Sequence, residues 1–469
     1  MELPADFVSR TRALLGDAYE RFEQALDAET PVSIRLNKHK GLTSPLAGEQ
    51  IPWCNTGYYL PERLTFTFDP LFHAGAYYVQ EASSMFMEQA VKTYINRPVK
   101  CLDLCAAPGG KSTHLLDLLP EGSLLVSNEV IRNRSLILAE NITKWGRPNV
   151  IVSNDDPQKL GQLTHYFDLI VTDVPCSGEG MFRKDEDSRQ EWSVANVELC
   201  ASRQRRIIHD IWDALKPGGL FIYSTCTYNT EENEENIGYI AETLGAEILP
   251  LPLPDEWGIS GSLKGNIPVY RFLPHKTTGE GFFLAVLRKA EDEITPVRFK
   301  SKGAKDKKKE TIPASIQNWL KNPSDFYFNL HNGVVEAFPA TYQEDYLLLT
   351  SKLKIISAGV KTGESKGKDL IPHPALALND ALAQSAFNRT EVDWADAIRF
   401  LRKETITISP EAERGYHLIT HKNLPLGFVK HLGNRSNNLY PSEWRIRSGY
   451  NPENLNVLDT RLKKDSNLL

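Results

Sequence analysis

Short apolar runs separated by longer amphipathic stretches dominate the middle of the chain, from residue 99 to residue 290. Near-continuous apolar runs that alternate with helical patterns predict a parallel β-sheet covered by helices on both faces. The expected fold class is therefore α/β. The candidate strands are 99-VKCLDL-104, 123-SLLVSNE-129, 149-NVIVSN-154, 167-FDLIVTD-173, 219-GLFIYST-225 and 282-FFLAVLR-288.

Other parts of the chain also show clear periodicity. Residues 7–27 carry apolar side chains at helical spacing, and 31-PVSIRLNKHKG-41 alternates in the manner of an edge strand. In 203-RQRRIIHDIWDALKPGG-219 the apolar positions form one helical stripe, and we expect the Pro-Gly-Gly triplet to end that helix. Past residue 313, strand-like patterns occur at 334-VVEAF-338, 346-YLLLTSKLKIIS-357 and 417-HLITH-421.

Composition places the chain among ordinary globular proteins, with 41% hydrophobic and 24% charged residues. No apolar run reaches the roughly 18–20 residues that cross a bilayer, and the N-terminus does not resemble a signal peptide. Six cysteines are too sparse for a disulfide scaffold, and no cysteine–histidine spacing fits a zinc site. We expect a reduced, cytoplasmic protein without a metal. The net charge of −6 argues against non-specific coating of nucleic acid, although local basic patches stay possible.

Polar residues stand at the ends of the first four candidate strands. The first strand runs into 105-CAAPGGKS-112, whose small residues let a ligand approach the backbone and the N-terminus of the next helix. Its spacing fits neither the dinucleotide fingerprint nor a P-loop. Glu129 ends the second strand, where an acid can accept from ribose hydroxyl groups. Asp156 follows the third strand and could accept from an adenine amino group, and Asp173 ends the fourth.

Any one of these acids, taken singly, is more often a helix N-cap or a solvated loop residue. Four strand ends in order, each suited to one part of an adenosyl ligand, favour S-adenosylmethionine as the cofactor. The position agrees, because ligands of such sheets bind at the carboxyl ends of the strands.

Two cysteines follow two of the candidate strands. Cys176 lies in 172-TDVPCSGEGMFRKD-185 after the fourth strand, and Cys226 lies in 224-STCTY-228 after the fifth. If these strands are neighbours in the sheet, both thiols face one pocket. A thiolate is strongly nucleophilic even at low population, so we predict a chemical role for the pair. Small buried core positions are predicted instead for Cys54, Cys101 and Cys200.

Three segments, 105-CAAPGGK-111, 173-DVPCSGEG-180 and 224-STCTYNTEENE-234, resemble the Nol/Nop/Sun family of RNA cytosine-5 methyltransferases. The resemblance extends upstream to 33-SIRLN-37 and 75-GAYYVQEASSM-85. The region that contains PLGFVKHLGNR is similar to bacterial ribosomal-RNA members of this family. The resemblance implies a class I S-adenosylmethionine-dependent methyltransferase core of Rossmann-like fold. It also implies an N-terminal α+β extension and a C-terminal RNA-binding region with a PUA-like β-barrel.

The same resemblance assigns roles to individual residues. Cys226 is expected to attack carbon 6 of a cytosine, which makes carbon 5 nucleophilic, and Cys176 to remove the proton from carbon 5 so that the product is released. Asp173 is expected to hydrogen-bond the cytosine ring, with Lys111 supporting the same pocket. Cofactor contacts are implied for Cys105, Ala106, Ala107, Pro108, Gly109, Gly110, Lys111, Glu129, Asp156 and Asp173.

The local sequence adds expectations about the catalytic loop and about RNA. Pro175 should fix the backbone before Cys176, while Gly178 and Gly180 should leave room for the base. The target base must leave its stack, so we expect basic side chains around the pocket. A solvated surface charge is the more frequent explanation for any one of them, and we favour the pair just past the catalytic loop, Arg183 and Lys184. The other candidates are Arg35, Lys38, Lys40, Arg203, Arg205, Arg206, Lys430, Arg435, Arg445 and Arg447.

A chain of 469 residues exceeds the size of a single core, so several domains are expected. A lysine-rich run at 298–310 predicts a flexible, solvated tether. The predicted divisions are an N-terminal RNA-binding extension at 1–96, a catalytic domain at 97–292, a basic linker at 293–312, a connecting α+β domain at 313–389, a PUA-like domain at 390–455 and a tail at 456–469.

The main hypothesis is a cytoplasmic, monomeric enzyme that methylates carbon 5 of a cytosine in RNA, with 16S ribosomal RNA or the small ribosomal subunit as partner. A tRNA substrate stays open, because the same motifs serve both. An amino-group methyltransferase is disfavoured, since such sites usually carry an Asn-Pro-Pro-Tyr-type loop after the fourth strand. A non-catalytic ribosome-assembly factor is disfavoured by the intact set of Cys226, Cys176, Asp173 and Lys111.

Overall fold

The structure is a computed structural model that describes residues 2–291, 312–366 and 369–462. The lysine-rich run predicted to be a tether lies outside these residues. Among the described residues, no helix is long and apolar enough to span a membrane.

The N-terminal region begins with two helices and contains a small antiparallel sheet with the order β3-β4-β1-β5. Helical spacing at 7–27 is confirmed, although Gly16 divides the segment into two helices. The prediction that residues 31–41 form an edge strand is wrong, because β1 pairs with β4 on one side and β5 on the other. The elements are α1 Ala5–Leu15, α2 Tyr19–Leu26, β1 Val32–Leu36, β2 Leu42–Pro45, β3 Glu49–Gln50, β4 Gly57–Leu60, α3 Pro70–His73, β5 Tyr77–Val79 and α4 Met87–Tyr94.

The central region is an α/β unit built on one large sheet, as its apolar runs predict. Five strands are parallel neighbours in the order β10-β9-β6-β7-β8. The elements are β6 Lys100–Asp103, α5 Gly110–Leu118, β7 Leu124–Asn128, α6 Arg132–Trp145, β8 Val150–Ser153, α7 Pro157–Gly161, β9 Phe167–Asp173, α8 Glu186–Glu191, α9 Val194–Ile211, β10 Leu215–Thr225, α10 Glu234–Leu244, β11 Glu247–Leu249, β12 Tyr270–Phe272 and β13 Phe282–Arg288.

Successive residues of each central strand enter two different apolar clusters. Leu125 and Leu169 belong to one cluster, and Val126 and Ile170 belong to the other. Because side chains alternate across a strand, the two clusters cover opposite faces of the sheet. Helices therefore bury both faces, as expected for a sheet whose strands are apolar throughout.

Two details of the sequence-based prediction for this unit are wrong. The sixth candidate strand, 282–288, runs antiparallel to β10. A strand buried on both faces has the same pattern in either direction, so its direction could not be predicted. The helical stripe ends early as well, since Leu215 begins β10 and α9 ends at Ile211. The Pro-Gly-Gly triplet therefore lies within the strand and not at the end of the helix.

The region after residue 312 contributes directly to the central sheet. Strand β16 pairs antiparallel with β8, so the sheet continues beyond the catalytic unit. The prediction of a strand at 346–357 is wrong in its first half, because residues up to Lys352 belong to a helix with one buried apolar side. The elements here are α11 Ala314–Gln317, β14 Phe326–His331, β15 Val334–Pro339, α12 Gln343–Lys352, β16 Ile355–Ala358, β17 Val360–Lys366, β18 Asp369–Pro372 and α13 Pro374–Ala377.

The C-terminal region is a four-stranded sheet in the order β19-β20-β21-β22 with a helix packed beside it. Its apolar side chains share one cluster with the N-terminal sheet, including Ile34 and Leu71 from one region and Ile398 and Ile419 from the other. Strand β23 pairs with β2 near the start of the chain. The elements are β19 Asn388–Glu391, α14 Trp394–Leu401, β20 Gly415–His421, β21 Leu424–His431, β22 Ser436–Asn438 and β23 Thr460–Leu462.

Arg35 joins the N-terminal sheet to the catalytic unit. Its side chain is completely buried, donates to Thr113 Oγ1 at 2.6 Å and to Asp117 Oδ2 at 3.2 Å, and lies over the ring of Trp145. The prediction that Arg35 binds RNA is therefore wrong, because its guanidinium is buried and donates to groups inside the protein. A basic residue in an alternating strand has the same pattern whether its face meets solvent or another domain.

Arg35→Ala should lower the free energy of unfolding by about 3–5 kcal/mol, since it leaves the buried carboxylate of Asp117 without its cation. Arg206→Ala is the matched control, because Arg206 is exposed on α9 and should change stability by no more than about 0.5 kcal/mol. Urea unfolding of both variants measures this difference. Equal stability of the two variants would contradict the role of Arg35 as an interdomain contact.

Candidate active site

The two cysteine-bearing loops leave the sheet side by side. Strands β9 and β10 are parallel neighbours, with Asp173 paired to Ser224 at their carboxyl ends. Val174 N donates to Ser224 O at 3.1 Å, so the pairing continues one residue past β9. The condition that the fourth and fifth strands be neighbours is therefore met, and both loops start from one edge of the sheet.

The two thiols that follow these strands lie in contact. Cys176 Sγ is 3.1 Å from Cys226 Sγ, and both side chains are partly exposed. Cys54, Cys101 and Cys200 are buried in the core, as predicted. The pocket edge is open to solvent, since the side chain of Asp173 is 39% exposed.

A cation and a carboxylate stand beside the sulfur atoms. Lys111 Nζ donates to Asp173 Oδ2 at 2.7 Å, and Ser224 Oγ donates to Asp173 Oδ1 at 2.9 Å. Burial alone would lower the pKa of Lys111, but the carboxylates of Asp173 and Asp103 outweigh burial and raise it. The ammonium group therefore stays charged, and it lies within electrostatic reach of Cys226.

The environment of Cys176 depends on the neighbouring thiol. The hydrogen bond with the thiol of Cys226, together with burial, raises the pKa of Cys176 well above its usual range. The contact between the two sulfur atoms is therefore the largest influence on the Cys176 thiol.

The glycines of the catalytic loop act differently from the prediction. A Cβ on Gly180 would lie 2.6 Å from Cys226 O and 2.7 Å from Gly281 O, so this glycine allows two backbone segments to pack. The expectation that it leaves room for a base is therefore wrong. Gly178 does face open space, and its φ of 76° lies in the left-handed region that favours glycine.

The other strand ends surround the glycine turn of residues 105–111. Asp156 N-caps α7 through a 3.0 Å bond to Gln158 N. Glu129 is almost fully buried, accepts from Ile131 N at 2.8 Å and lies 3.5 Å from Arg134 Nη1. Each of these carboxylates already has a local partner, so the contacts with a cofactor stay a proposal.

Asp103 was not singled out from the sequence, although it ends β6 directly before the glycine turn. It is fully buried, and Ser112 Oγ donates to Oδ2 at 2.6 Å, whereas Oδ1 has no hydrogen-bond partner. Burial raises its pKa to about 7, and the nearby carboxylates of Asp173 and Glu129 add to that rise. A signal for it was present in the sequence, because an acid closes this strand as it closes the fourth.

Several basic residues predicted to contact RNA hold the protein together instead. Arg183 pairs with Glu280 at 3.0 Å and donates to Gly279 O at 2.6 Å, and Lys40 Nζ is buried and donates to Leu378 O at 2.5 Å. The preference for Arg183 is therefore wrong. Lys38 donates to Asp117 O, Arg205 to Asn236 and Lys430 to Asp369. Among the candidates, the exposed residues are Lys38, Lys184, Arg203, Arg206, Arg435, Arg445 and Arg447.

One group of potential metal ligands lies elsewhere, in the core of the described residues: Cys54, Glu88 and His114. His114 Nε2 is 3.0 Å from Glu88 Oε2 and 3.8 Å from Cys54 Sγ. Burial and the adjacent Glu88 raise the pKa of Cys54 to about 12, so its sulfur is a neutral thiol. These three side chains contact one another, and we assign them a packing role.

Comparison with known proteins places the chain in a family. Residues 96–288 match the model described as 16S rRNA methyltransferase RsmB/F, residues 3–82 match the N-terminal domain of 16S rRNA methyltransferase RsmF, and residues 387–446 match the RsmF PUA domain. A relative from Citrobacter koseri, named ribosomal RNA small subunit methyltransferase F, is 30% identical over 95% of this chain and 97% of its own length. This chain belongs to the ribosomal RNA small subunit methyltransferase F family.

Further comparisons agree with this family. A protein of the same name from Aliivibrio fischeri is 31% identical over 86% of each chain. A solved methyltransferase homologue from Pyrococcus horikoshii is 28% identical, with a TM-score of 0.52, over 60% of this chain and 94% of its own. The resemblance to the Nol/Nop/Sun family, the methyltransferase-type core and the C-terminal PUA domain are thereby confirmed.

Gly180→Ala should separate the two cysteine loops, because the added methyl group meets two backbone oxygens. Overpacking of this kind costs about 1–3 kcal/mol of unfolding free energy, and we expect methyl transfer to fall at least tenfold. Gly178→Ala is the control: it costs about 1–2 kcal/mol through its positive φ but leaves the loop contact intact, so most activity should stay. Urea unfolding and a methyl-transfer assay test both variants. Equal activity of the two would contradict this account.

Asp103 predicts a pH dependence of stability. Its folded pKa lies above the value of an unfolded aspartate, so the folded state loses relative stability as the pH rises from about 4 to about 7. At about 1.4 kcal/mol for each pKa unit, the ligand-free protein should lose about 2 kcal/mol from this group between pH 5.5 and pH 8. Asp103→Asn should lack this loss in urea unfolding at the two pH values. Parallel stability curves for wild type and variant would contradict the assignment.

Proposed function

We propose that this protein transfers a methyl group from S-adenosylmethionine to carbon 5 of a cytosine in 16S ribosomal RNA, through a covalent bond between Cys226 and carbon 6. The single observation that carries the proposal is the 3.1 Å contact between Cys176 and Cys226 at the ends of two parallel strands. Amino-group transfer needs neither thiol. The names of the relatives support the class of RNA.

The chemistry of cytosine explains why two thiols are needed. Carbon 5 is a weak nucleophile until a thiolate adds to carbon 6, and we assign this addition to Cys226. The charged Lys111 lies within electrostatic reach of Cys226, and we assign to the Lys111–Asp173 pair the holding of the ring as charge develops. Cys176 is partly exposed, so we propose that it gives its own proton to solvent and, as a thiolate, then takes the proton from carbon 5. The carbon 6–sulfur bond then breaks and restores the Cys226 thiolate.

The residues at the strand ends fit the proposed cofactor. S-adenosylmethionine, when bound, supplies an electrophilic methyl group and carries two positive charges, on sulfonium and ammonium. The buried Oδ1 of Asp103 lacks a partner, and Asp173 and Glu129 lie within electrostatic reach of it. Three carboxylates converging on one glycine turn form a site for a cationic ligand. We assign Glu129 and Asp156 to its ribose and adenine, and residues 105–111 to the backbone cradle.

The exposed basic side chains are the remaining candidates for RNA contact. Lys184 follows the catalytic loop, Arg203 and Arg206 lie on α9, and Arg435 and Arg445 lie in the region that matches the PUA domain. We propose that the chain works as a monomer in the cytoplasm, the compartment in which ribosomal RNA of the small subunit is found.

A denaturing gel of two alanine variants tests the proposal. Each variant is incubated with S-adenosylmethionine and small-subunit ribosomal RNA. Cys176→Ala should give a stable protein–RNA band, because attack proceeds and release fails. Cys226→Ala should give no band and no methyl transfer. Wild-type protein should methylate the ribosomal RNA, and tRNA serves as the substrate control.

The other outcomes are equally informative. Bands with the two variants reversed would exchange the nucleophile and the release residue. Absence of a band in both, with methyl transfer retained, would exclude covalent cytosine chemistry. Methylation of tRNA in place of ribosomal RNA would keep the chemistry and overturn the substrate.

A further inference from the structure

Two buried glutamates connect the cysteine loops in a reciprocal way. Glu179 comes from the loop that carries Cys176, and Glu232 comes from the segment that follows Cys226. Their side chains are 2% and 0% exposed, so both carboxylates depend on contacts within the protein. Each reaches across to the loop that bears the other cysteine.

Glu179 binds the segment just after Cys226. Its Oε2 accepts from Thr227 Oγ1 at 2.6 Å, from Tyr228 N at 2.7 Å and from Asn229 N at 2.9 Å. Its Oε1 accepts from Trp192 Nε1 and from Asn229 Nδ2, both at 3.0 Å. Five donors on one buried carboxylate fix the path of the chain immediately beyond the nucleophile.

Glu232 makes the opposite connection. Its Oε2 accepts from Ser177 N at 3.0 Å, in the residue after Cys176, and from Gln204 Nε2 at 2.7 Å. Its Oε1 accepts from Asn229 Nδ2 at 2.8 Å, so the amide of Asn229 bridges the two carboxylates. Gln204 Nε2 also donates to Pro175 O at 2.9 Å, which holds the residue before Cys176.

We propose that Glu179 and Glu232 are positioning residues that fix the separation of the Cys176 and Cys226 sulfur atoms. The inference deepens the proposed function and, in its kinetic part, rests on it. Neither glutamate touches a reacting atom. Hydrogen bonds to charged groups are stronger than hydrogen bonds between neutral groups. Glu179 accepts from the three residues that follow Cys226, and Glu232 accepts from the residue that follows Cys176. The sulfur contact of 3.1 Å is held from both sides.

The two cysteines need this control because they act in sequence on neighbouring carbons. Attack needs only Cys226 and the base, whereas release needs Cys176 at a fixed distance from the ring that Cys226 holds. Loosening the loops should therefore slow release more than attack. An enzyme without the glutamate contacts should accumulate the covalent RNA adduct even though both cysteines are present.

A thiol-oxidation assay measures the geometry without RNA, cofactor or methyl transfer. Diamide oxidises two adjacent thiols: a sulfur–sulfur bond forms, and two electrons and two protons pass to the nitrogen–nitrogen double bond, which becomes a hydrazine. Intact mass after alkylation of the remaining thiols reports the Cys176–Cys226 bond. Peptide mapping assigns it, because Cys105 is the other partly exposed thiol among the described residues.

The variants are Glu179→Gln and Glu232→Gln, which preserve the shape of the side chain. Each replaces a carboxylate oxygen by an amide NH₂ group, which cannot accept from the surrounding donors. Oxidation of the pair should slow about tenfold in both. Glu88→Gln is the matched control: Glu88 is 1% exposed and accepts from Asn55 N and His114, yet it contacts neither cysteine loop. Its oxidation rate should equal that of wild type. Equal rates in all four proteins would overturn the proposal.

A milder variant keeps the test decisive if a glutamine variant does not fold. Thr227→Val removes one donor to Glu179 and preserves volume, so it should slow oxidation in the same direction. If Thr227→Val folds and oxidises at the wild-type rate, the proposal is overturned.

The kinetic readout uses 16S ribosomal RNA with S-adenosylmethionine. Glu179→Gln should lower kcat about tenfold and lower KM with it, because release follows attack, and a denaturing gel should show an adduct band that Glu88→Gln lacks. Slower oxidation together with no methyl transfer by wild type would leave the positioning role intact and overturn the proposed function. If wild type transfers methyl groups but the glutamine variants oxidise at the wild-type rate, the proposed function stands and the positioning role is overturned.

Discussion

The parallel pairing of β9 with β10 is the constraint on which the site depends. Parallel neighbours send their following loops in the same direction, so Asp173 and Ser224 meet and Cys176 and Cys226 can come together although fifty residues separate them. Cys105 follows β6 on the other side of β9, but the sulfur–sulfur contact of 3.1 Å joins the two thiols that follow β9 and β10. The chemistry therefore follows from strand order, and strand order follows from the packing of apolar faces against helices on both sides.

Buried charged side chains connect segments whose relative positions apolar packing alone does not specify. Arg35 fixes the N-terminal sheet to α5, Arg183 fixes the catalytic loop to Glu280, and two glutamates fix the cysteine loops to each other. Such pairs add less to stability than their number suggests, because desolvation opposes the Coulomb attraction. What they supply is one defined geometry, since a buried charge tolerates few positions for its partner. The precision of the thiol pair rests on this property.

The sequence predicts the central strands, the motifs that follow them and the pair of thiols. These features could be predicted because buried parallel strands and cysteine-bearing loops have local sequence patterns. The predictions that were wrong concern residues whose environment is formed by segments distant in the sequence. Arg35 and Lys40 were expected at an RNA surface, but the domain that covers them is not visible in local periodicity. Gly180 was expected to make space, whereas its neighbours are the backbone oxygens of Cys226 and Gly281, both distant along the chain. Helix α12 looked like a strand because its leucines are consecutive and buried on one side.

The division into separate domains is less sharp in three dimensions than along the chain. Strand β16 extends the sheet at β8, and Lys354 N donates to Asp155 Oδ2 at 2.6 Å, beside the proposed adenine residue Asp156. Trp394 Nε1 donates to Phe68 O at 2.9 Å, which ties the region matching the PUA domain to the N-terminal region. Surfaces proposed to contact RNA are thus connected to the cofactor edge through ladder hydrogen bonds and a shared apolar cluster. Within the described residues, packed elements therefore set the position of the C-terminal region relative to the pocket.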